Sequence, residues 1–173
     1  MFYMKLYKII QALLIVLYAF MVVFFIYQCL KDGNSSAQIS DSVANKVADV
    51  EKTITHKDVV VDDNYKFNIR KLIGHFGYFT AFGLVSIFLF ISLREVRSNI
   101  VKISLHYFLG IGFAFISEFL LEANAKGRTA SITDVGIDSL GFVLASTIVV
   151  IIYLIILLIK RMKIDNNVLQ EEK

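Results

Sequence analysis

The chain has 173 residues, 57% of them hydrophobic, with no Pro and no Trp. A globular domain is usually nearer half apolar; here the excess sits in four blocks, and no stretch outside them is long enough to build a soluble core. The net charge of +3 gives no reason to expect a nucleic-acid partner, because Lys and Arg fall at the edges of the apolar blocks.

A run of about 18 or more apolar residues reads as a membrane-spanning helix. Residues 9–30, 72–93, 103–121 and 137–159 meet that length. The expected fold is therefore all-α, a four-helix transmembrane bundle with an extracytoplasmic loop. The first block exceeds the apolar core of about 7–15 residues found in signal peptides and lacks a small-x-small cleavage site. It reads as an uncleaved anchor over residues 1–30. The lone Cys29 has no internal disulfide partner.

Residues 31–70 follow as the outer loop. They open with "KDGNSSAQ", a turn-and-linker composition. Ile39, Val43, Val47, Val50 and Ile54 then recur at helical spacing. That pattern predicts a short amphipathic helix lying on the outer membrane surface.

The second span reads "NIRKLIGHFGYFTAFG" from its outer end. Lys71, His75, Tyr78 and Phe82 share one helix face. At 1.5 Å of rise per residue, His75 lies about 6 Å deeper than Lys71. Gly74 and Gly77 beside it are expected to let another helix approach closely. Arg70 falls off this stripe, where it could reach a lipid phosphate.

In the third span, Gly110, Ala114, Glu118 and Glu122 are each four apart. Small residues mark the packed face of a membrane helix, so the two carboxylates point into the bundle. His106, at the inner end, reads as a structural helix histidine. The fourth span repeats the logic with Asp134, Asp138, Gly141 and Ala145. "SITD" offers Ser131 as its N-cap, with Asp134 in the first turn, where the helix dipole favours an acid.

The second to fourth spans, residues 71–160, form the expected core, and residues 161–173 a short tail. Basic residues cluster at residues 5–8, 94–102 and 160–163, which four spans place on one side. The positive-inside rule makes that side cytoplasmic, with both termini there and the protein in the cell membrane. The polar ends of the last three spans then meet at the outer side. They form a pocket lined by Lys71, His75, Tyr78, Glu118, Glu122, Arg128, Asp134 and Asp138, with Arg70 as a further cation. Charges at membrane depth tend to be buried, paired and functional. The rival reading is structural: Glu118 with Arg128, or Lys71 with Asp138, as ion pairs that fix helix register.

One histidine and four carboxylates suit a hard cation better than zinc, but they have no specific ligand spacing. The reading therefore carries no metal and no cofactor. No Ser-His-Asp order stands out; Glu118 and His75 are the candidates for general acid/base work.

"RKLIGHFGYF" and "SEFLLEANAKGRTASITDVGIDSLG", together with the serine-bearing outer loop, resemble the VanZ-like family of bacterial membrane proteins. The resemblance runs over residues 70–144. It places the family's basic pair on Arg70 and Lys71, its histidine on His75 and its acid on Glu118. Its Gly-Arg falls on Gly127 and Arg128, and its two polar positions on Asp134 and Asp138. The sequence departs from the commoner pattern at Leu121, where Gln is usual, and at Tyr78, where an acid often follows the histidine. The histidine itself often stands one residue nearer the basic pair.

The resemblance implies a cell-envelope protein that lowers susceptibility to teicoplanin-type, lipid-tailed glycopeptides without remodelling the wall precursor. Its outer pocket would engage a membrane lipid headgroup, a lipid-linked cell-wall precursor or the lipoglycopeptide antibiotic. The rivals are an intramembrane hydrolase or transferase acting on a lipid-linked substrate, and an accessory subunit of a membrane complex.

The topology has a direct test. On a Cys29→Ala background, cysteines introduced at Ser36 or Thr129 are expected to react with a membrane-impermeant thiol reagent in intact cells, and one at Ser98 is not. Labelling at Ser98 alone would invert the orientation.

Overall fold

The computed structural model of the chain describes residues 2–93 and 98–171. Arg94 and Arg97 of the expected basic loop lie outside them. The described residues are helical, with no strand among them. Five helices follow one another: α1 (Phe2–Cys29), α2 (Gly33–Thr55), α3 (Asp63–Ser92), α4 (Asn99–Asn124) and α5 (Ile132–Glu171). All but α2 are long and apolar enough to cross a membrane, so the chain is a four-span membrane protein with an amphipathic helix between its first two spans.

That helix is longer than the sequence suggests. The expected linker "KDGNSSAQ" is mostly helical, because Asp32 caps α2 by accepting the Ser35 N–H at 2.7 Å. The same backbone hydrogen bond holds the Asp32 carboxyl below the usual carboxylate range. The helix ends at His56, which takes a left-handed conformation and donates its N–H to Lys52. Its buried residues are Ala44 and Ala48, while Val50 and Ile54 stay exposed. Small side chains thus face the protein, and part of the Val/Ile stripe is left for the membrane surface. Lys66 reaches Asp41 at 3.3 Å and Tyr65 donates to Glu51 at 3.0 Å, tying α2 to the start of α3.

The start of α2 is also pinned to the loop between α4 and α5. Gly33 donates its N–H to the Lys126 carbonyl at 2.9 Å. A Cβ on Gly33 would come within 2.5 Å of the Gly127 carbonyl oxygen, and Gly127 itself has φ +74°. Both positions need glycine, one for approach and one for backbone conformation. This contact puts the amphipathic helix at the same end of the bundle as "EANAKGRTASITD".

Two spans depart from regular α-helix. α3 is π-helical over Arg70–Gly77, and α4 over Ser117–Leu121 before a 3₁₀ turn at Glu122–Asn124. π-helical turns are rare and concentrate at functional sites. Here they carry Arg70, Lys71 and His75 in one helix and Glu118 in the other.

In a lipid solvent the hydrophobic effect does little to bring helices together, so close packing must. Gly110, Ala114, Gly141 and Ala145 are buried as expected. A Cβ on Gly141 would meet the Phe76 carbonyl oxygen at 2.5 Å, and one on Gly110 would strike the Phe142 ring at 2.0 Å. Gly83, which the sequence reading overlooked, packs its α-carbon against the Phe142 backbone. The expectation for Gly74 and Gly77 fails. Gly74 has nothing within reach, and Gly77 meets only its own helix at Leu72. Both are exposed, because each directly precedes a residue of the inward stripe, His75 or Tyr78, and so stands about 100° round the helix from it.

Aromatic rings fill the centre. Phe25 of α1 stacks on Tyr78 at 4.3 Å and meets Phe79 edge-on at 5.1 Å. Nearer the other end, His106 is fully buried between the hydroxyls of Ser86 (3.0 Å) and Ser146 (2.8 Å). Both ring nitrogens are occupied, which fits the structural role expected for it.

Gly141→Ala should therefore force α3 and α5 apart and lower stability in detergent by about 1–3 kcal/mol. Gly74→Ala should leave the melting midpoint unchanged or raise it, since alanine is the better helix former. Equal effects of the two would contradict this packing.

Candidate functional site

At the end of the bundle that α2 covers, charged side chains lie inside the protein rather than on it. Glu118, Glu122 and Asp138 are buried and Asp134 is nearly so. Every sequence-predicted site residue lies at this end, but they do not line one shared pocket. They divide into two groups that meet at His75.

The first group surrounds a cavity of about 280 Å³ between α1, α2 and the π-helical turn of α3. Phe24, Ile39, Val43 and Ile73 give it apolar walls. Lys31, Arg70, His75, Glu122 and Arg128 add charged and polar groups to its lining. Tyr78 also lines it, and its hydroxyl donates to the Met21 carbonyl, which ties α3 to α1. Arg128 is the fixed point. Its side chain is 8% exposed and its Nη1 donates to Glu122 Oε1 at 3.1 Å and to the Cys29 carbonyl at 3.2 Å. Its Nε is buried and has no partner. A cation held this firmly, with a free N–H, is suited to an anionic oxygen.

The second group lies beyond His75. Lys71 pairs with Asp134 Oδ1. His75 Nδ1 lies within hydrogen-bond distance of Asp138 Oδ1, at 3.1 Å, and its Nε2 stands 3.9 Å from Asp134 Oδ2. Glu118 accepts the Ser131 N–H through Oε2 at 3.1 Å and brings Oε1 within 3.9 Å of His75 Nδ1. Ser131 also caps α5, accepting the Asp134 N–H at 3.3 Å as its sequence position suggested. One ligand-type atom each from His75, Glu118 and Asp134 lie within 4.8 Å of one another.

These contacts exchange the expected ion-pair partners. Arg128 pairs with Glu122, not Glu118, and Lys71 with Asp134, not Asp138. The tight turn Glu122–Asn124 is the cause: it brings Glu122 round to the returning loop and leaves Glu118 against the α5 N-terminus. Sequence reasoning missed the carbonyls of Gln28 and Cys29 that hold Arg128, because backbone groups leave no sequence signal. It also missed Ile39 and Val43 as cavity walls. Their helical periodicity was readable, but not the surface it would face.

The fold is thus a four-span membrane protein with a charged cluster buried at one end. Comparison with protein-family models, curated proteins and solved structures gives no match.

The partner exchange is testable by a double-mutant cycle. Breaking a buried pair from one side costs about 3–5 kcal/mol, so Arg128→Ala should destabilise the protein by that order. Glu122→Gln should recover part of the loss, whereas Glu118→Gln should recover none. Rescue by Glu118→Gln instead would restore the pairing expected from sequence.

Proposed function

We propose that this chain is a VanZ-like envelope protein that lowers susceptibility to lipid-tailed glycopeptide antibiotics by engaging an anionic amphiphile at the outer face of the cell membrane. The observation that carries this reading is the cavity under α2, whose lining combines apolar side chains with the buried Arg128 guanidinium. An amphiphile combines the same two characters. A headgroup phosphate or carboxylate would meet Arg128, Arg70 and Lys31, and an acyl chain would follow Ile39, Val43 and Phe24. The candidate ligands are a membrane lipid, a lipid-linked wall precursor and the drug itself.

A lipid-tailed drug gains avidity by lodging in the membrane beside its target. A protein that occupies or alters that neighbourhood weakens this advantage. The outward orientation of the cavity rests on the positive-inside argument, and the labelling experiment above tests it.

One contact favours a second reading. The His75–Asp138 hydrogen bond, with Glu118 beside it, is the arrangement of an oriented base near a carboxyl. It supports an intramembrane hydrolase or transferase on a lipid-linked substrate.

Expression in a susceptible Gram-positive host is expected to raise tolerance to a lipid-tailed glycopeptide more than to one lacking the tail. Equal protection against both would point to changed wall precursors and remove the membrane-neighbourhood reading. Arg128→Ala and Glu118→Ala should each abolish protection, and Lys46→Ala should not. Glu118→Gln separates the readings, because an enzyme loses nearly all activity and a binding site retains much of it. Mass spectrometry of lipids retained by the purified protein identifies the amphiphile.

A further inference from the structure

Two of the buried carboxylates at this end have no basic partner. Lys71 is taken by Asp134 and Arg128 by Glu122. Glu118 and Asp138 remain, 1% and 0% exposed, with no Lys or Arg paired to either among the described residues. One protonated imidazole would answer only one of them. Asp138 Oδ2 is buried and unpartnered, although its own Oδ1 is bound to His75. Burying an ionised carboxylate without compensation is costly enough that such groups take up a proton, are paired or coordinate metals.

We propose that His75, Glu118 and Asp134 are the protein ligands of a divalent cation of the first transition row. Their donor atoms lie within 4.8 Å of one another. Bonds of about 2.0–2.2 Å in a tetrahedral shell separate neighbouring ligand atoms by about 3.4 Å, so closure needs shifts of roughly an ångström or less.

Each donor is already oriented. In the tautomer that gives its Nδ1 proton to Asp138, His75 has Nε2, the nitrogen facing Asp134, as its lone-pair donor, and Glu118 Oε1, which stands 3.9 Å from Nδ1, turns toward that side to complete the set. Metal-bound histidines are held this way by a carboxylate on the other nitrogen. Lys71 holds Asp134 Oδ1 and leaves Oδ2 free for the cation. The Ser131 N–H holds Glu118 Oε2 and leaves Oε1. One imidazole with two carboxylates favours manganese, iron or zinc over calcium or magnesium, which take oxygen alone. Three protein ligands leave a coordination position open for water or for an anionic oxygen. The shared residue His75 also lines the cavity, so that open position adjoins it. The inference does not depend on which amphiphile the cavity takes.

The test uses the full chain purified in detergent without chelator, then dialysed against EDTA and titrated with Mn²⁺ or Zn²⁺. Elemental analysis is expected to find close to one transition-metal ion per chain before dialysis. Titration should restore that stoichiometry and raise the melting midpoint. Glu118→Gln and His75→Ala should bind at least a hundredfold more weakly and show no metal-dependent midpoint shift, whereas His56→Ala, at the exposed end of α2, should behave as the parent. Comparing metal-free melting curves separates lost binding from lost folding: a variant that melts like the metal-free parent yet does not respond to metal supports the site. Absence of stoichiometric metal from the parent after both purification and titration overturns the proposal. So does unchanged binding in Glu118→Gln.

Discussion

Four carboxylates lie among apolar helices, and the arrangement of one end of this protein follows from the need to answer their charge. Burial shields them from solvent, and charge at membrane depth is expensive. Two of the four have basic partners. Lys71 binds Asp134, linking α3 to α5, and Arg128 binds Glu122, linking the loop after α4 back onto that helix. The other two converge on His75, which bridges α3, α4 and α5 by facing Asp138 at 3.1 Å and Glu118 at 3.9 Å. Electrostatic satisfaction thus fixes which spans are neighbours at this end, while glycine contacts fix it nearer the middle.

Irregular backbone makes the convergence possible. Both π-helical turns lie at the level of the charged cluster. Lys71, His75 and Glu118 all stand in these turns. The outlying α2 completes the enclosure. It buries the small side chains of Ala44 and Ala48 and turns Ile39 and Val43 to the cavity. The contact of Gly33 with the Lys126–Gly127 turn holds it over the cavity. A side chain as small as alanine at Gly33 would displace it, so the cavity depends on a backbone approach next in the chain to Arg128.

The division at His75 relates the two proposals. On one side lies space with a cation at its end, suited to an anionic amphiphile. On the other lies a negative cluster suited to a cation. A metal at the second would place positive charge next to the first. The anion-binding character of the cavity would then come from Arg128, Arg70 and the cation together, and ligand binding would depend on metal content.

Much of this was determined by the sequence alone. Apolar length set the four spans, and the Ile39–Ile54 periodicity set the amphipathic helix. The stripes Gly110–Ala114–Glu118–Glu122 and Asp134–Asp138–Gly141–Ala145 identified the inward faces, because a membrane helix hides acids and packs on small residues. Only the tertiary structure decided which acid met which cation, which glycines touched a neighbour, and that one expected pocket was two. Those outcomes turn on π-helical and 3₁₀ turns at Arg70–Gly77, Ser117–Leu121 and Glu122–Asn124. Sequence periodicity assumes a constant rotation per residue. One altered turn changes every face beyond it, and the partners that fill the new faces come from elements distant in the chain.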